Sequence, residues 1–132
     1  YCTLEVVLVM AVVHKHLIIR AETKNTPTSP QWAHKWLVQL VEKIGMVICQ
    51  GPITAYVNEE GNRGLTGLVV IETSHIALHC WDETDPGLFQ LDVYTCGPMD
   101  EQLIFDELKQ FDPVKVEYKY LDREKGLTEI QL

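Results

Sequence analysis

The alternation of apolar and polar residues along this chain predicts a protein built mostly of strands, with two helices between them. The coarse order is strand, helix, three strands, helix, strand. The first segment, Leu4 to Ala21, is rich in Val, Ile and Leu, as buried strands usually are. Because the polar triplet His14-Lys15-His16 interrupts it, the segment is either one long bent strand or two short ones.

Both predicted helices carry apolar residues at three- and four-residue spacing. Ser29 can cap the first helix, Pro30 suits its first position, and Gly45 suits its end. Its wide apolar stripe consists of Trp32, Ala33, Trp36, Leu37, Leu40, Val41 and Ile44. The tryptophans are therefore expected in the core. A second helix is predicted from Asp100 to about Phe111, and its inward residues are Leu103, Ile104, Leu108 and Phe111.

The remaining segments alternate with a period of two residues, as half-buried strands do. They are Met46–Val57, Gly67–Glu72, His75–Trp81, Phe89–Cys96 and Val114–Tyr120. Short polar turns join most of them, which implies antiparallel neighbours. Two helices suffice to cover only one face of such a sheet. The predicted fold is therefore α+β, a two-layer α/β sandwich with an antiparallel sheet and two helices on one face.

Length and charge narrow the possible functions. With 132 residues and 46% hydrophobic content, residues 1–132 fit a single domain. A net charge of −8 argues against nucleic acid as a partner, since binding to phosphates needs a basic surface. The longest apolar run, Val6 to Val13, is far shorter than the ~20 residues of a membrane-spanning helix. The chain starts at Tyr1 rather than at Met, so the sequence leaves open a removed leader.

The four cysteines are Cys2, Cys49, Cys80 and Cys96. No two of them form a CxxC pair, so neither a disulfide framework nor a zinc ribbon is expected. Reduced thiols in a cytoplasmic protein are the expectation.

Two neighbouring segments hold most of the reactive side chains, IETSHIALHCW at residues 71–81 and DVYTCG at residues 92–97. Together they supply a hydroxyl, two imidazoles and a thiol. This arrangement resembles the core of the bacterial and archaeal S-adenosylmethionine decarboxylase proenzymes. There, a Ser-His block and a Thr-Cys-Gly block supply the self-processing serine, the processing histidine and a proton-donating cysteine. Carried over, these residues are Ser74, His79 and Cys96.

The resemblance implies a pyruvoyl-dependent enzyme that cleaves itself between Thr73 and Ser74. Ser74 would become the pyruvoyl cofactor, which forms a Schiff base with the substrate amine and accepts electrons during decarboxylation. His79 would serve the elimination step and Cys96 would protonate the product. The implied substrate is S-adenosylmethionine, in spermidine biosynthesis. The family pairs two protomers face to face with active sites where they meet, so a homodimer is expected.

Four further positions follow from the resemblance. Thr66 matches a family serine whose hydroxyl helps orient the processing ester. Tyr56 and Trp81 match aromatic positions and are predicted to sandwich an adenine ring. Glu83 matches a carboxylate that could hold ribose hydroxyls. No metal ligand is implied.

The sequence departs from the family at the cleavage site, where Thr73 replaces the usual Glu. A β-branched residue beside the bond could slow or abolish cleavage. One alternative is therefore a non-processing homologue that acts as a ligand-binding or regulatory module. Another is a pyruvoyl decarboxylase of ornithine or arginine. A third is a metal site built from His75, His79, Cys80 and Cys96, against which the opposite strand faces of His79 and Cys80 argue.

Overall fold

Apolar alternation organises the chain into seven strands and two helices over residues 13–132, which the computed structural model describes. In chain order these are β1 (Lys15–Thr23), α1 (Pro30–Lys43), β2 (Gln50–Val57), β3 (Gly64–Ile71), β4 (Ser74–Trp81), β5 (Gly87–Thr95), α2 (Glu101–Leu108), β6 (Pro113–Asp122) and β7 (Thr128–Glu129). A 3₁₀ turn, Lys109–Phe111, follows α2 directly. Four strands separate the helices, in agreement with the four alternating segments named above and one more than the coarse order gave.

The strands form one sheet in the order β2-β3-β4-β5-β1-β6-β7, and every neighbouring pair is antiparallel. Both helices pack on the same face and bury alternate residues of the central strands. The largest fully buried side chains are Phe89, Leu17, Ile19, Leu37, Leu40, Leu65, Ile71, Ile76, Leu78, Leu91, Ile104 and Val41. The predicted α+β sandwich is confirmed.

Helix α1 begins and ends where its capping residues predicted. Ser29 Oγ accepts a hydrogen bond from the Trp32 amide at 3.1 Å, and Pro30 is the first helical residue. Gly45, just beyond the end, has a φ of 75°, a conformation that glycine adopts without a steric penalty. The Trp36 indole donates to Glu107 Oε1 at 2.9 Å, which ties α1 to α2 within the helical layer.

Three predicted boundaries were wrong. Strand β2 begins at Gln50 rather than Met46, because Met46 donates its amide to Val41 and stays with the helix end. Strand β3 already begins at Gly64. The second helix ends at Leu108, and the chain tightens into a 3₁₀ turn before Asp112, whose φ is 51°.

The interruption predicted at His14-Lys15-His16 is only partly correct. Lys15 and His16 belong to β1 and pair with Asp122 and Leu121 of β6. The polar side chain of His16 is accommodated because it lies on the face of the sheet opposite the helices. The rest of the predicted long strand, residues 4–12, lies outside the described residues.

That opposite face is called here the open face, since neither α1 nor α2 packs on it. On the central strands it carries His16, Ile18 and Arg20 of β1, Thr66, Leu68 and Val70 of β3, His75, Ala77, His79 and Trp81 of β4, and Asp92 and Tyr94 of β5. Polar and aromatic groups are therefore concentrated on one side of the sheet. Within residues 13–132, neither helix has the length and apolarity needed to span a membrane.

Candidate active site

Thr66 and His79 form a hydrogen-bonded pair on the open face. They lie directly opposite each other in the β3–β4 ladder, and Thr66 Oγ1 is 3.2 Å from His79 Nδ1. The Trp81 ring stacks on the imidazole, with centroids 6.2 Å apart and planes 29° from parallel. Both contacts restrain the orientation of the imidazole.

Two glycines let the sheet and its helix approach closely around Thr66. A Cβ on Gly64 would overlap the carbonyl oxygen of Cys80 on β4. A Cβ on Gly67 would come within 2.8 Å of the Leu37 side chain of α1. Gly64 thus lets β3 lie close to β4, and Gly67 lets α1 lie close to β3.

Ser74 is the first residue of β4 and follows a two-residue hairpin turn. The turn residues are Glu72 and Thr73, and Ile71 pairs with Ser74 to close the hairpin. Glu72 has a φ of 58°, the positive value that primed two-residue turns require of their first central residue. Thr73 is exposed. The predicted cleavage site is therefore the tip of a hairpin.

The Ser74 side chain is buried beside Cys96. Its hydroxyl donates to the Ile71 carbonyl at 2.8 Å, and its Oγ lies 3.9 Å from Cys96 Sγ. Ser74 and Cys96 are 6% and 1% exposed. The predicted nucleophile and the predicted acid are therefore in contact.

The two pairs are separate within one chain. Ser74 and His79 are five residues apart on β4, which corresponds to about 16 Å at roughly 3.3 Å per residue. Their side chains also point to opposite faces, because they lie an odd number of positions apart on the strand. A single chain thus contains two half-sites, one with Ser74 and Cys96 and one with Thr66 and His79.

The cysteines differ from the expectation of reduced thiols. Cys96 is disulfide-bonded, whereas Cys49 and Cys80 are free. Burial raises the pKa of Cys80 to about 12, so its thiol stays protonated near neutral pH. The alternative metal site of His75, His79, Cys80 and Cys96 is not formed: among residues 13–132, the only group of converging ligands that includes any of these residues is His16, His75 and Asp92.

The predicted adenine sandwich of Tyr56 and Trp81 stays a prediction, because a single chain does not bring the two rings together. Tyr56 pairs with Leu65, a core residue, whereas Trp81 pairs with Gly64 and points to the open face. Adjacent positions on a strand face opposite sides of the sheet, so the two rings cannot enclose one ligand. The Tyr56 hydroxyl donates to Asp82 at 2.8 Å instead, and this hydrogen bond raises the pKa of Tyr56.

Glu83 holds the loop between β2 and β3. Its carboxylate accepts hydrogen bonds from the amides of Gly61 at 2.9 Å and Arg63 at 3.0 Å, and from the Arg63 guanidinium at 3.1 Å. The two amide bonds are the main reason that the pKa of Glu83 lies below its ordinary value. A ribose contact through Glu83 stays a prediction.

Sequence reasoning missed one polar cluster on the open face. His16 Nε2 lies 3.1 Å from Asp92 Oδ1, and the His75 ring is 6.0 Å from the His16 ring. In the sequence, His14 and His16 stood out only as part of a polar interruption of the first strand. The contacts join three strands and depend on their register.

The sequence is similar to those of known decarboxylase proenzymes. The sequence profile of the S-adenosylmethionine decarboxylase family matches residues 15–124. An S-adenosylmethionine decarboxylase proenzyme of Methanococcus vannielii is 31% identical over 123 residues, covering 89% of this chain and 93% of the relative. An arginine decarboxylase proenzyme of Aeropyrum pernix is 28% identical over 113 residues, covering 82% of this chain and 80% of the relative.

A shorter match reaches higher identity. The S-adenosylmethionine decarboxylase proenzyme of Pyrobaculum arsenaticum is 42% identical over 64 residues, which is 47% of this chain and 50% of the relative. In this match and in that to the Archaeoglobus fulgidus proenzyme, the chain spans about half of the relative's length.

A solved structure supports the fold independently. The crystal structure of the adenosylmethionine decarboxylase from Aquifex aeolicus superposes with a TM-score of 0.62 at 21% identity, covering 92% of this chain and 98% of that one. Since the family profile covers most of the chain, including both half-sites, the chain belongs to the S-adenosylmethionine decarboxylase family.

Proposed function

We propose that this chain is the proenzyme of a pyruvoyl-dependent decarboxylase acting on S-adenosylmethionine in the cytoplasm, in spermidine biosynthesis. The observation that carries the proposal is that the residues matching the family's functional positions occur as two contacting pairs, Thr66 with His79 and Ser74 with Cys96. In the first pair a hydroxyl contacts the imidazole proposed as the base, and in the second the nucleophilic hydroxyl contacts the thiol proposed as the acid.

Cleavage begins when Ser74 Oγ attacks the Thr73 carbonyl carbon. The Thr73–Ser74 amide becomes an ester, and the Ser74 nitrogen becomes an amine. A base then removes the Ser74 α-proton, the ester C–O bond breaks, and Thr73 leaves as a carboxylate. The resulting dehydroalanine tautomerises and takes up water, which releases ammonia and leaves a pyruvoyl group at position 74.

The hairpin between β3 and β4 supports this chemistry. The exposed Thr73 and the buried Ser74 hydroxyl stand on either side of the bond to be rearranged. The positive φ of Glu72 is a conformation that L residues adopt at an energetic cost. A turn under such strain favours departure from the planar amide toward the ester. Once formed, the pyruvoyl ketone would accept electrons from the substrate during loss of carbon dioxide.

The base for the α-proton is His79 of a second copy of the chain. Within one chain Ser74 and His79 lie about 16 Å apart on opposite faces of β4. In a homodimer that buries the open face, His79 of one copy would approach the hairpin tip of the other, where the Thr73–Ser74 bond lies at the end of β4. That face is suited to burial, because it exposes large apolar side chains on β1, β2 and β3. These are Ile53 at 70% exposure, Leu68 at 46%, Val70 at 42%, Val57 at 41% and Ile18 at 37%.

Cys96 would donate the proton that replaces carbon dioxide on the substrate carbon. A disulfide sulfur carries no proton, so this role requires the bond at Cys96 to be reduced. Turnover should therefore depend on a thiol reductant, whereas cleavage at Ser74 should not. This difference separates the proposed role of Cys96 from that of the processing residues.

A second substrate class has a specific observation in its favour. Because Tyr56 and Trp81 lie on opposite faces, an adenine sandwich would need rings from two copies of the chain. A pyruvoyl decarboxylase of arginine or ornithine would need no adenine pocket. The similarity to the Aeropyrum pernix protein points to the same alternative.

Release of labelled carbon dioxide tests the function directly. Reduced protein is incubated with carboxyl-labelled S-adenosylmethionine, arginine or ornithine in parallel, and Ser74→Ala serves as the matched control. We expect release from S-adenosylmethionine by the unsubstituted protein alone. Release from arginine or ornithine instead would reassign the substrate. A cleaved protein inactive on all three would refute the decarboxylase proposal, and an uncleaved, inactive one would favour the binding module.

A further inference from the structure

Three side chains of types that bind metals converge on the open face, and none of them is a residue proposed for processing. Tyr94 of β5 pairs with His16 of β1 on one side and with His75 of β4 on the other. Asp92 lies two residues along β5 on the same face. One ligand atom from each of His16, His75 and Asp92 lies within 4.8 Å of the other two. The cluster therefore spans three adjacent strands in the middle of the sheet.

The distances suit a small cation. His16 Nε2 and Asp92 Oδ1 are 3.1 Å apart. Ligand atoms bound at about 2 Å in a tetrahedral shell are about 3.4 Å from one another. The His16–Asp92 pair is already near this separation, and modest side-chain rotation of His75 would complete a three-ligand set. The backbone beneath it is held by antiparallel ladders, so the set is positioned before any ion arrives.

We propose that His16, His75 and Asp92 bind one divalent transition-metal ion, with Zn²⁺ as the representative. Two imidazoles and a carboxylate suit this class of ion, whereas Ca²⁺ and Mg²⁺ prefer oxygen ligands. All three ligands come from one chain, so the proposal depends neither on self-cleavage nor on dimer formation. The fourth position faces away from the sheet, toward the second copy in the proposed homodimer.

Arg123 makes the site switchable. Its Nη1 lies 3.2 Å from His16 Nδ1, and a guanidinium can only donate. His16 Nδ1 therefore accepts, and the single proton of the neutral ring sits on Nε2, where it is donated to Asp92. An ion bound at Nε2 requires that proton to move to Nδ1. The protonated Nδ1 would then face the guanidinium of Arg123, so metal binding must displace Arg123.

This geometry predicts an inverse effect of Arg123. The Arg123 guanidinium lies over the Tyr94 ring, 4.3 Å from its centroid, and Arg123 is itself exposed and able to swing away. Its removal eliminates both a competing hydrogen bond and a positive charge beside the cation. Arg123→Gln should therefore bind the metal more tightly than the unsubstituted chain, whereas loss of any ligand should weaken binding.

The experiment is a titration of chelator-treated, reduced protein with Zn²⁺ by calorimetry, with Co²⁺ absorption as a report on the ligand geometry. The variants are His75→Asn, Asp92→Asn and Arg123→Gln. The matched control is His34→Gln, because His34 is exposed on α1, on the far side of the sheet. Circular dichroism of each variant establishes that it is folded.

We expect the unsubstituted chain and His34→Gln to bind one equivalent with equal affinity. His75→Asn and Asp92→Asn should lose at least the roughly 10–100-fold that changes around a metal site cost. Arg123→Gln should gain affinity. Equal Zn²⁺ binding by the unsubstituted chain and folded His75→Asn would overturn the proposal, as would no saturable binding. Unchanged or weaker binding by Arg123→Gln would overturn the displacement step.

Discussion

If the active site is shared between two copies of the chain, two inactive variants should rescue each other. Ser74→Ala lacks the nucleophile and His79→Ala lacks the proposed base. In a mixed dimer, the Ser74 of the His79→Ala chain meets the His79 of its partner, so one of the two sites is complete. The other site lacks both groups.

The expected extent follows from random pairing. At equal concentrations, about half of all dimers are mixed, so about half of the His79→Ala chains have a competent partner. About half of all His79→Ala chains should therefore be cleaved, whereas no Ser74→Ala chain should be. Both substitutions should leave the fold intact, since the bonds of Ser74 to Ile71 and of His79 to Thr66 are each worth only about 1 kcal/mol.

The assay is co-refolding of the two chains, one carrying a tag that shifts its mass, followed by denaturing gel analysis and mass spectrometry. The control replaces the Ser74→Ala chain with a Ser74→Ala/His79→Ala double variant, which supplies no imidazole at position 79. Absence of cleavage in the mixture, while the unsubstituted chain cleaves itself, would refute the shared site. It would mean that His79 acts within its own chain. Cleavage of the His79→Ala chain in the control mixture would instead mean that His79 does not act in cleavage.

Three further predictions concern the sheet, the turn and the loop. Gly64→Ala should destabilise the fold by about 1–3 kcal/mol in chemical denaturation, because its Cβ would overlap the Cys80 carbonyl, whereas Gly126→Ala, which meets no atom closer than 4.0 Å, should be near neutral. Thr73→Glu should cleave faster than the unsubstituted chain in a gel assay, and its stability should change by less than about 0.5 kcal/mol because residue 73 is exposed. Slower cleavage by this variant would show that the β-branched side chain of Thr73 does not hinder the reaction. The lowered pKa of Glu83 stabilises the fold above the carboxyl's ordinary value of 4.5, and that stability is lost as the pH falls through the folded pKa. Thermal melts of Glu83→Gln should therefore decline less between about pH 5 and pH 3 than those of the unsubstituted chain, and parallel declines would contradict this.

The parts of the fold that depend on local sequence could be predicted. Helix α1 was located correctly because Ser29, Pro30 and Gly45 act on their nearest neighbours. The end of the second helix was misplaced because no such residue marks Leu108, and the chain continues through a 3₁₀ turn with apolar Phe111 still buried. Periodicity alone does not distinguish these two helical forms.

The site was predictable by residue type but not by arrangement. Alternation within β4 correctly placed His79 and Trp81 on one face. The faces of Tyr56 and Trp81 relative to each other depend on the registers of β2–β3 and β3–β4, which no single strand encodes. The same holds for the contact of His16 with Asp92, which joins β1 to β5.

The intact mass of the purified, unsubstituted chain tests the central claim most directly. Under denaturing conditions, the account predicts two fragments: residues 1–73 ending in a free carboxylate, and residues 74–132 beginning with a pyruvoyl group. A reductant must be present, so that no disulfide holds the fragments together. Ser74→Ala should stay at 15.1 kDa. An unsubstituted chain that also stays at 15.1 kDa after prolonged incubation would contradict self-cleavage at Thr73–Ser74 and the decarboxylase proposal built on it.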